Sequence, residues 1–353
     1  MIFKAIILTC FSNLEGERTA SNIYHLLKGK KSIQTLQDAH LYQLERFYGI
    51  YSNLTKQGFN RRISELEDSG YLLSDENQEG IYRLGESAVS WLTEHEQQLK
   101  IEYFHGLQYN DIAAVFHLRM LLLIQSLTNV RMKHYHFIPV TDNHSAEQWV
   151  KQSYRKMRTK EAAILQQLHK EIYSILLQLP DEDASVFVDR MTGYRKYGLS
   201  IGQLSEKYCM EVDHVHLLLT GIVHKMIATV IEDKKAFPLL AYILKDLMGS
   251  GQITHSAHKT YQLLSNNYTI DQIAAMRNLK TNTIHDHIVE VALYESDFPV
   301  LKYVTAEETD EILSAVNQYK SFRLKDIKHA VSDHISYFQI RLVLAVNKEK
   351  QGD

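Results

Sequence analysis

Lys280, Thr281, Asn282, Thr283 and His285 crowd into six positions of this 353-residue chain, and their side chains are of the kind that donate to phosphate oxygens and reach base edges. At the start of a helix, backbone N–H groups add a further preference for an anion. The surrounding residues supply such a start. Within residues 268–288, Thr269 is placed to cap a first helix, and Ile273 and Ala274 face its partner across a tight turn. Leu279 is placed to plug the turn and Thr281 to cap a second helix, whose apolar face is Ile284 and Ile288 at the i, i+4 interval. This is the spacing of a helix–turn–helix.

A second polar constellation is Lys56, Asn60, Arg61 and Arg62. It lies on a segment, residues 54–69, that places Phe59, Ile63 and Leu66 on one helical side. Two short strands around the polar turn 75–80 follow, and a helix over 85–99 closes a winged-helix-like block. On such a block the asparagine and arginines face phosphate or base edges. The alternative is a solvated face, with Arg61 and Arg62 paired to Glu65 and Glu67. A third set, Lys151, Arg155 and Arg158, falls on one helical face and could track a phosphate backbone. Lys156 and Lys160 lie off that face, as on an ordinary surface helix.

The elements that carry these residues are helices. Pro occurs only 4 times and Gly only 15, so turns and strands are scarce, and 45% hydrophobic content supports more than one core. The expected fold is mainly α, in three parts: a winged-helix-like domain at 1–100, a helical middle domain at 101–250 and a helix–turn–helix domain at 255–350. Pro139 and Pro180 mark breaks in the middle domain. A net charge of −3 excludes a strongly basic nucleic-acid binder, so any DNA affinity must come from local patches or a partner.

Residues 199–231 repeat the opening motif at a fixed offset. Ser200 matches Thr269, Leu204 matches Ile273, Met210 matches Leu279, Val215 matches Ile284 and Leu219 matches Ile288. The second helix of this copy opens with Glu211 and Asp213, which repel phosphate. A degenerate copy with a structural or protein-facing role is expected.

Other chemistries find little support. No phosphate-cradling G-x-x-x-x-G-K-[ST] occurs, and Gly249-Ser250-Gly251-Gln252 lacks both its spacing and its lysine. His134 and His136, His214 and His216, and His285 and His287 stand two apart, which diverges on a helix and suits no metal. Asp181, Glu182, Asp183 and Asp189 follow Pro180, where acids favour a helix N-terminus over a nuclease cluster. No catalytic residue, metal or cofactor is expected. Cys10 and Cys209 are too few for a disulfide framework. The apolar stretches 5–11 and 112–127 read as core helices, the second interrupted by His117 and Arg119, so the expected location is the cytoplasm with no membrane.

The tail extends the motif into a resemblance. Residues 268–288, with 306–312, Arg323-Leu324-Lys325-Asp326-Ile327-Lys328 and Ile335-Ser336-Tyr337-Phe338-Gln339-Ile340-Arg341-Leu342-Val343-Leu344-Ala345, resemble the helicase-type helix–turn–helix domain appended to RecQ-type DNA helicases. The whole chain, including Gly16-Glu17-Arg18-Thr19 and residues 29–39, is similar to the bacterial YpbB family of stand-alone proteins. The resemblance implies a non-enzymatic accessory subunit that binds a RecQ-type helicase and makes weak, largely sequence-independent DNA contacts during replication or repair. The competing expectation is a transcription regulator whose N-terminal block reads an operator.

Overall fold

The computed structural model describes residues 1–96, 99–248, 253–295 and 297–347. The segment Gly249-Ser250-Gly251-Gln252 lies outside them. In chain order the first elements are α1 (Ile2–Leu14), α2 (Ala20–Lys28), α3 (Ile33–Leu41), α4 (Lys56–Asp68), β1 (Leu72–Ser74), β2 (Tyr82–Leu84) and α5 (Glu86–His95). The middle of the chain forms α6 (Gly106–Arg131), α7 (His144–Met157), α8 (Glu161–Leu176), α9 (Asp181–Asp189), α10 (Ile201–Tyr208), α11 (Val212–Glu232) and α12 (Pro238–Leu244). The remainder forms α13 (His255–Ser265), α14 (Ile270–Arg277), α15 (Thr281–Tyr294), α16 (Ala306–Tyr319), α17 (Leu324–Ala330) and α18 (Tyr337–Val346). The protein is mainly α, as the scarcity of Pro and Gly predicts.

Two compact units are built from pieces that alternate along the chain. Unit 1 comprises Met1–Ile7, Arg46–Asn53 and Ser90–Gly249; unit 2 comprises Leu8–Glu45, Leu54–Val89 and Ser250–Asp353. The division falls within α1 and again within α5.

In unit 1, α6 and α11 form the centre. α6 buries Phe116, Met120, Leu123 and Leu127, and α11 buries Val215, Leu218, Ile222 and Met226. Both helices are long and apolar enough to cross a membrane, but 56% and 61% of their most apolar stretches are buried within the protein, as core helices require. The polar residues that interrupt α6 are accommodated individually. His117 stacks on Phe187, and Arg119 donates to both Asp246 oxygens at 2.7 and 2.8 Å beneath the Trp149 ring. Buried Glu171 of α8 accepts from the N–H groups of Leu239 and Leu240, so a carboxylate neutralises the N-terminal end of α12. Pro180 is the N-cap of α9, and the acids after it occupy its first turn. Of these, Asp183 is buried and pairs with Lys100, while Asp189 at the far end accepts from Lys207 and Tyr208.

In unit 2, α15 is the central helix, with α13, α18 and α3 against it. The run Val289, Val291, Ala292 and Leu293 is buried on all sides, which explains why it lacks a polar stripe. Residues from the N-terminal and C-terminal parts of the chain meet within this unit. The Glu17 carboxylate accepts from the Phe322 N–H at 2.9 Å and from the Tyr42 hydroxyl, and Arg323 donates to the carbonyls of Gly16 and Glu17. Arg18 pairs with buried Asp38 at 3.0 Å. Gln37 donates to the Arg341 carbonyl at 2.7 Å. The N-terminal residues that carry the family resemblance therefore serve the fold, fastening the N-terminal helices to the C-terminal ones.

Candidate nucleic-acid interface

The winged part of unit 2 is shaped by turns. Thr55 accepts from the Gly58 N–H and starts α4, whose Phe59, Ile63 and Leu66 are buried. Gly70, at φ 70°, ends the turn after α4, and a Cβ on Gly85 would fall 2.2 Å from the Gly70 carbonyl oxygen. β1 and β2 then pair antiparallel, Leu72 opposite Leu84 and Ser74 opposite Tyr82. The wing tip is tied back when Ala20 at the start of α2 donates to the Gly80 carbonyl at 2.8 Å.

Between α2, α4 and the wing lies a groove of about 490 Å³, lined by Ser21, Lys56, Asn60, Ser64 and Tyr82, with Glu67 and Glu79 also on its walls. Lys56 donates to the Ser21 hydroxyl at 2.9 Å and lies over the Tyr24 ring at 4.8 Å. Partial burial lowers its pKa below the ordinary lysine value. Asn60 is exposed on the next turn. Arg61 and Arg62 differ from each other. Arg61 is 75% exposed and only 3.7 Å from Glu65, whereas Arg62 is largely covered and pairs with Glu65 at 2.9 Å. Both pair with the same glutamate, so α4 offers Lys56, Asn60 and Arg61 more readily than Arg62.

Arg83 is a further exposed cation of the wing, on the opposite side of β2 from the groove-lining Tyr82, that the helical pattern of residues 54–69 does not reveal. It lies exposed on β2, opposite exposed Leu73 on β1. The period-2 alternation of Tyr82, Arg83 and Leu84 is the signal that could have found it.

The helix–turn–helix at α14–α15 has the expected frame. Thr269 and Gln272 form a reciprocal capping box, Asn278 closes α14 in the left-handed conformation at φ 51°, and Ile273, Ile284 and Ile288 are fully buried. Leu279 is half-buried in the turn. One detail differs from expectation. Thr281 is the first residue of α15 rather than its cap; the cap position belongs to Lys280, which supplies no capping side chain. The first turn thus presents exposed Lys280, Thr281 and Asn282, with half-buried Thr283, around N–H groups that no side chain caps.

His285 is engaged within the protein. Its ring stacks on Phe338 with centroids 4.0 Å apart, and burial first, then Arg341, lowers its pKa against the opposing pull of Asp286. Two charged side chains of the motif are likewise engaged internally, the first by an opposite charge and the second by neutral acceptors. Asp286 pairs with Arg341 at 2.7 Å, and Arg277 donates to Ser256 and Thr260. His287 sits beside Thr260, at 2.9 Å.

Lys151, Arg155 and Arg158 belong to unit 1. α7 buries Ala146, Val150 and Ser153, leaving these three basic residues exposed, with Lys151 3.3 Å from Glu147 and Arg158 at the C-cap. The other histidine pairs are dispersed: His214 accepts from the Ile2 N–H, His216 stacks on Tyr51 and His134 meets Asn129. Among the described residues, no three His, Cys, Asp or Glu side chains gather as a metal site.

A helix-plus-wing block and a capped helix–turn–helix define a mainly α protein of the winged-helix and helix–turn–helix kind. Two family models match it: the RQC domain over residues 4–105 and a helix–turn–helix domain over residues 256–344. These are the RecQ C-terminal and helicase-type modules, both of them non-catalytic and DNA-binding. The chain is 30% identical over 344 residues to Protein YpbB of Bacillus subtilis (strain 168), covering 97% of this chain and 96% of that protein. It belongs to the YpbB family. No solved structure matches.

Proposed function

We propose that the protein is a non-enzymatic, cytoplasmic accessory factor of a RecQ-type DNA helicase, supplying in trans DNA-contacting modules and binding the helicase during replication or repair. The observation that carries this reading is the pairing of an RQC domain with a helicase-type helix–turn–helix domain in one chain. The three-part organisation at 1–100, 101–250 and 255–350 remains the proposed division of labour, with the outer parts meeting DNA.

The polar faces favour weak contact that is largely independent of sequence. Lys280, Thr281, Asn282 and Thr283 occupy a single helical turn, and beyond it α15 is mostly buried, with partly covered His285 and Asp286 engaged by Phe338 and Arg341. A recognition helix needs several exposed turns to read successive base pairs, and one turn can do little more than hold a phosphate. On α4, Lys56, Asn60 and Arg61 add a second small set. Lys151, Arg155 and Arg158 are candidates for an auxiliary contact, and His285 and Arg62 contribute by positioning neighbours.

The test is association. The intact chain and a RecQ-type helicase from the same cell are expected to co-purify, and adding the chain is expected to change unwinding of forked duplex. No association together with no effect on unwinding removes the proposal. Tight binding to one duplex sequence over random duplex would favour an operator-reading regulator instead.

A further inference from the structure

Unit 1 carries a groove that the DNA reading leaves unused. α6, α8 and α9 enclose an open channel of about 880 Å³. One wall is a single stripe of α8 running from Ala162 through Leu165, Leu168 and Ile172 to Leu176. At ~1.5 Å per residue that stripe is about 21 Å long, the length of a four-turn helix. The facing wall is Ile124 and Thr128 of α6, with Val188 and Met191 from the end of α9. Tyr173 and Val188 remain 55% and 41% exposed, so large apolar side chains here meet solvent. Ala162 and Ala163 keep one end shallow, where another backbone can approach.

The charge carried by the described residues that line the groove is positive. Arg131 is exposed at its edge, His169 stacks on Tyr173, and Lys170 is exposed beside them on α8. No carboxylate is among the described residues that line it. The acids of the neighbouring helices are engaged elsewhere. Glu161 accepts from the Tyr154 hydroxyl, Glu171 faces the start of α12, and Asp189 holds Lys207 and Tyr208. Asp181 and Glu182 lie at the opposite end of α9 from Val188. A nucleic acid would find few cations and much hydrocarbon. An amphipathic helix laid into an apolar groove buries its own apolar face there, and acidic residues along its edges would meet the basic rim.

We propose that this groove docks an amphipathic helix from a partner protein, one whose apolar face is flanked by acidic residues. The proposal goes beyond the DNA reading and stands independently of it.

Fluorescence anisotropy with the full chain tests it. The probe is a fluorescein-labelled peptide of about 15 residues, four helical turns long, with Leu along one helical face and Glu on both edges. One control replaces every Glu by Lys, and a second keeps the composition but destroys the helical pattern. The expected result is saturable binding of the Glu peptide, at least about tenfold tighter than either control. Leu165→Glu and Val188→Glu are each expected to weaken it at least about tenfold, with thermal melting and DNA affinity unchanged. Val188 is exposed, so its variant keeps the test valid if Leu165→Glu fails to fold. The proposal is overturned by equal binding of the Glu and Lys peptides, by binding that ignores the pattern or the substitutions, or by no saturable binding. Self-association of the chain lost in Val188→Glu would also overturn it, since a second copy would then be the occupant.

Discussion

α10–α11 in unit 1 and α14–α15 in unit 2 are two helix–turn–helix units with nearly the same frame. Each begins with a capping box, Ser200 with Gln203 and Thr269 with Gln272. Each turns through a left-handed residue, Cys209 at φ 52° and Asn278 at φ 51°. Leu204, Ile273, Val215 and Ile284 are all fully buried. The difference lies in the first turn of the second helix. α11 opens with Glu211 and Asp213, the latter accepting from the Tyr51 hydroxyl, and continues for 21 residues as a core helix. α15 opens with Lys280, Thr281 and Asn282. The shared residues set the frame, and a handful of exposed side chains decide what can meet it.

If the frames are equivalent, matched truncations should cost alike. Leu204→Ala and Ile273→Ala each remove a fully buried side chain and are expected to lower stability by about 3 kcal/mol, measured by denaturant unfolding. A much smaller cost in one copy would show that its helices are held by other contacts.

Acid should bear harder on unit 1, which holds the most strongly depressed histidines. Burial holds His117 at about 4 and His224 at about 3, with Arg190 and His105 respectively adding to the depression. The unfolded chain binds these protons near pH 6.5 while the native state does not, so stability is full above that value and falls as pH drops towards about 4 for His117 and about 3 for His224. At pH 5 each group is expected to cost about 2 kcal/mol. Trp91 and Trp149 are the 2 tryptophans and both lie in unit 1, so their fluorescence should report the loss. His117→Asn should flatten the profile; an unchanged slope would contradict the assignment.

Smaller effects belong to the caps. Ser200→Ala and Thr269→Ala each remove a bond to a backbone N–H and should cost about 1 kcal/mol, read as a shift in the denaturant midpoint. Unequal costs would mark the copy whose first helix is braced by tertiary packing.

Much of this frame was legible in the sequence because it is local. Thr269, Ile273, Ile284 and Ile288 sit at intervals that a helix start and an apolar face dictate, and the strands around 75–80 follow from Gly and polar residues at a turn. The N-cap of α15 falls one residue earlier than its chemistry suggests, since Thr281 has a capping side chain but sits inside the helix. What escaped was non-local. Nothing near Glu17 announces that it will receive the Phe322 N–H, and nothing near His285 announces Phe338. The first contact fastens N-terminal residues to C-terminal ones, and the second packs His285 against α18. The continuous apolar run 291–293 was the local clue that α15 would be enclosed.

The central claim is that DNA meets the first turn of α15 and the start of α4, and that α11 takes no part. Affinity for duplex, single-stranded and forked DNA measured across salt tests it most directly, using the intact chain and the variants Lys280→Glu, Lys56→Glu and Glu211→Gln. Few phosphates predict a log–log slope of about −2 to −3, reduced by about 1 in each lysine variant and unchanged in Glu211→Gln. A slope near zero, lysine variants that bind like the parent, or an effect confined to Glu211→Gln would contradict it.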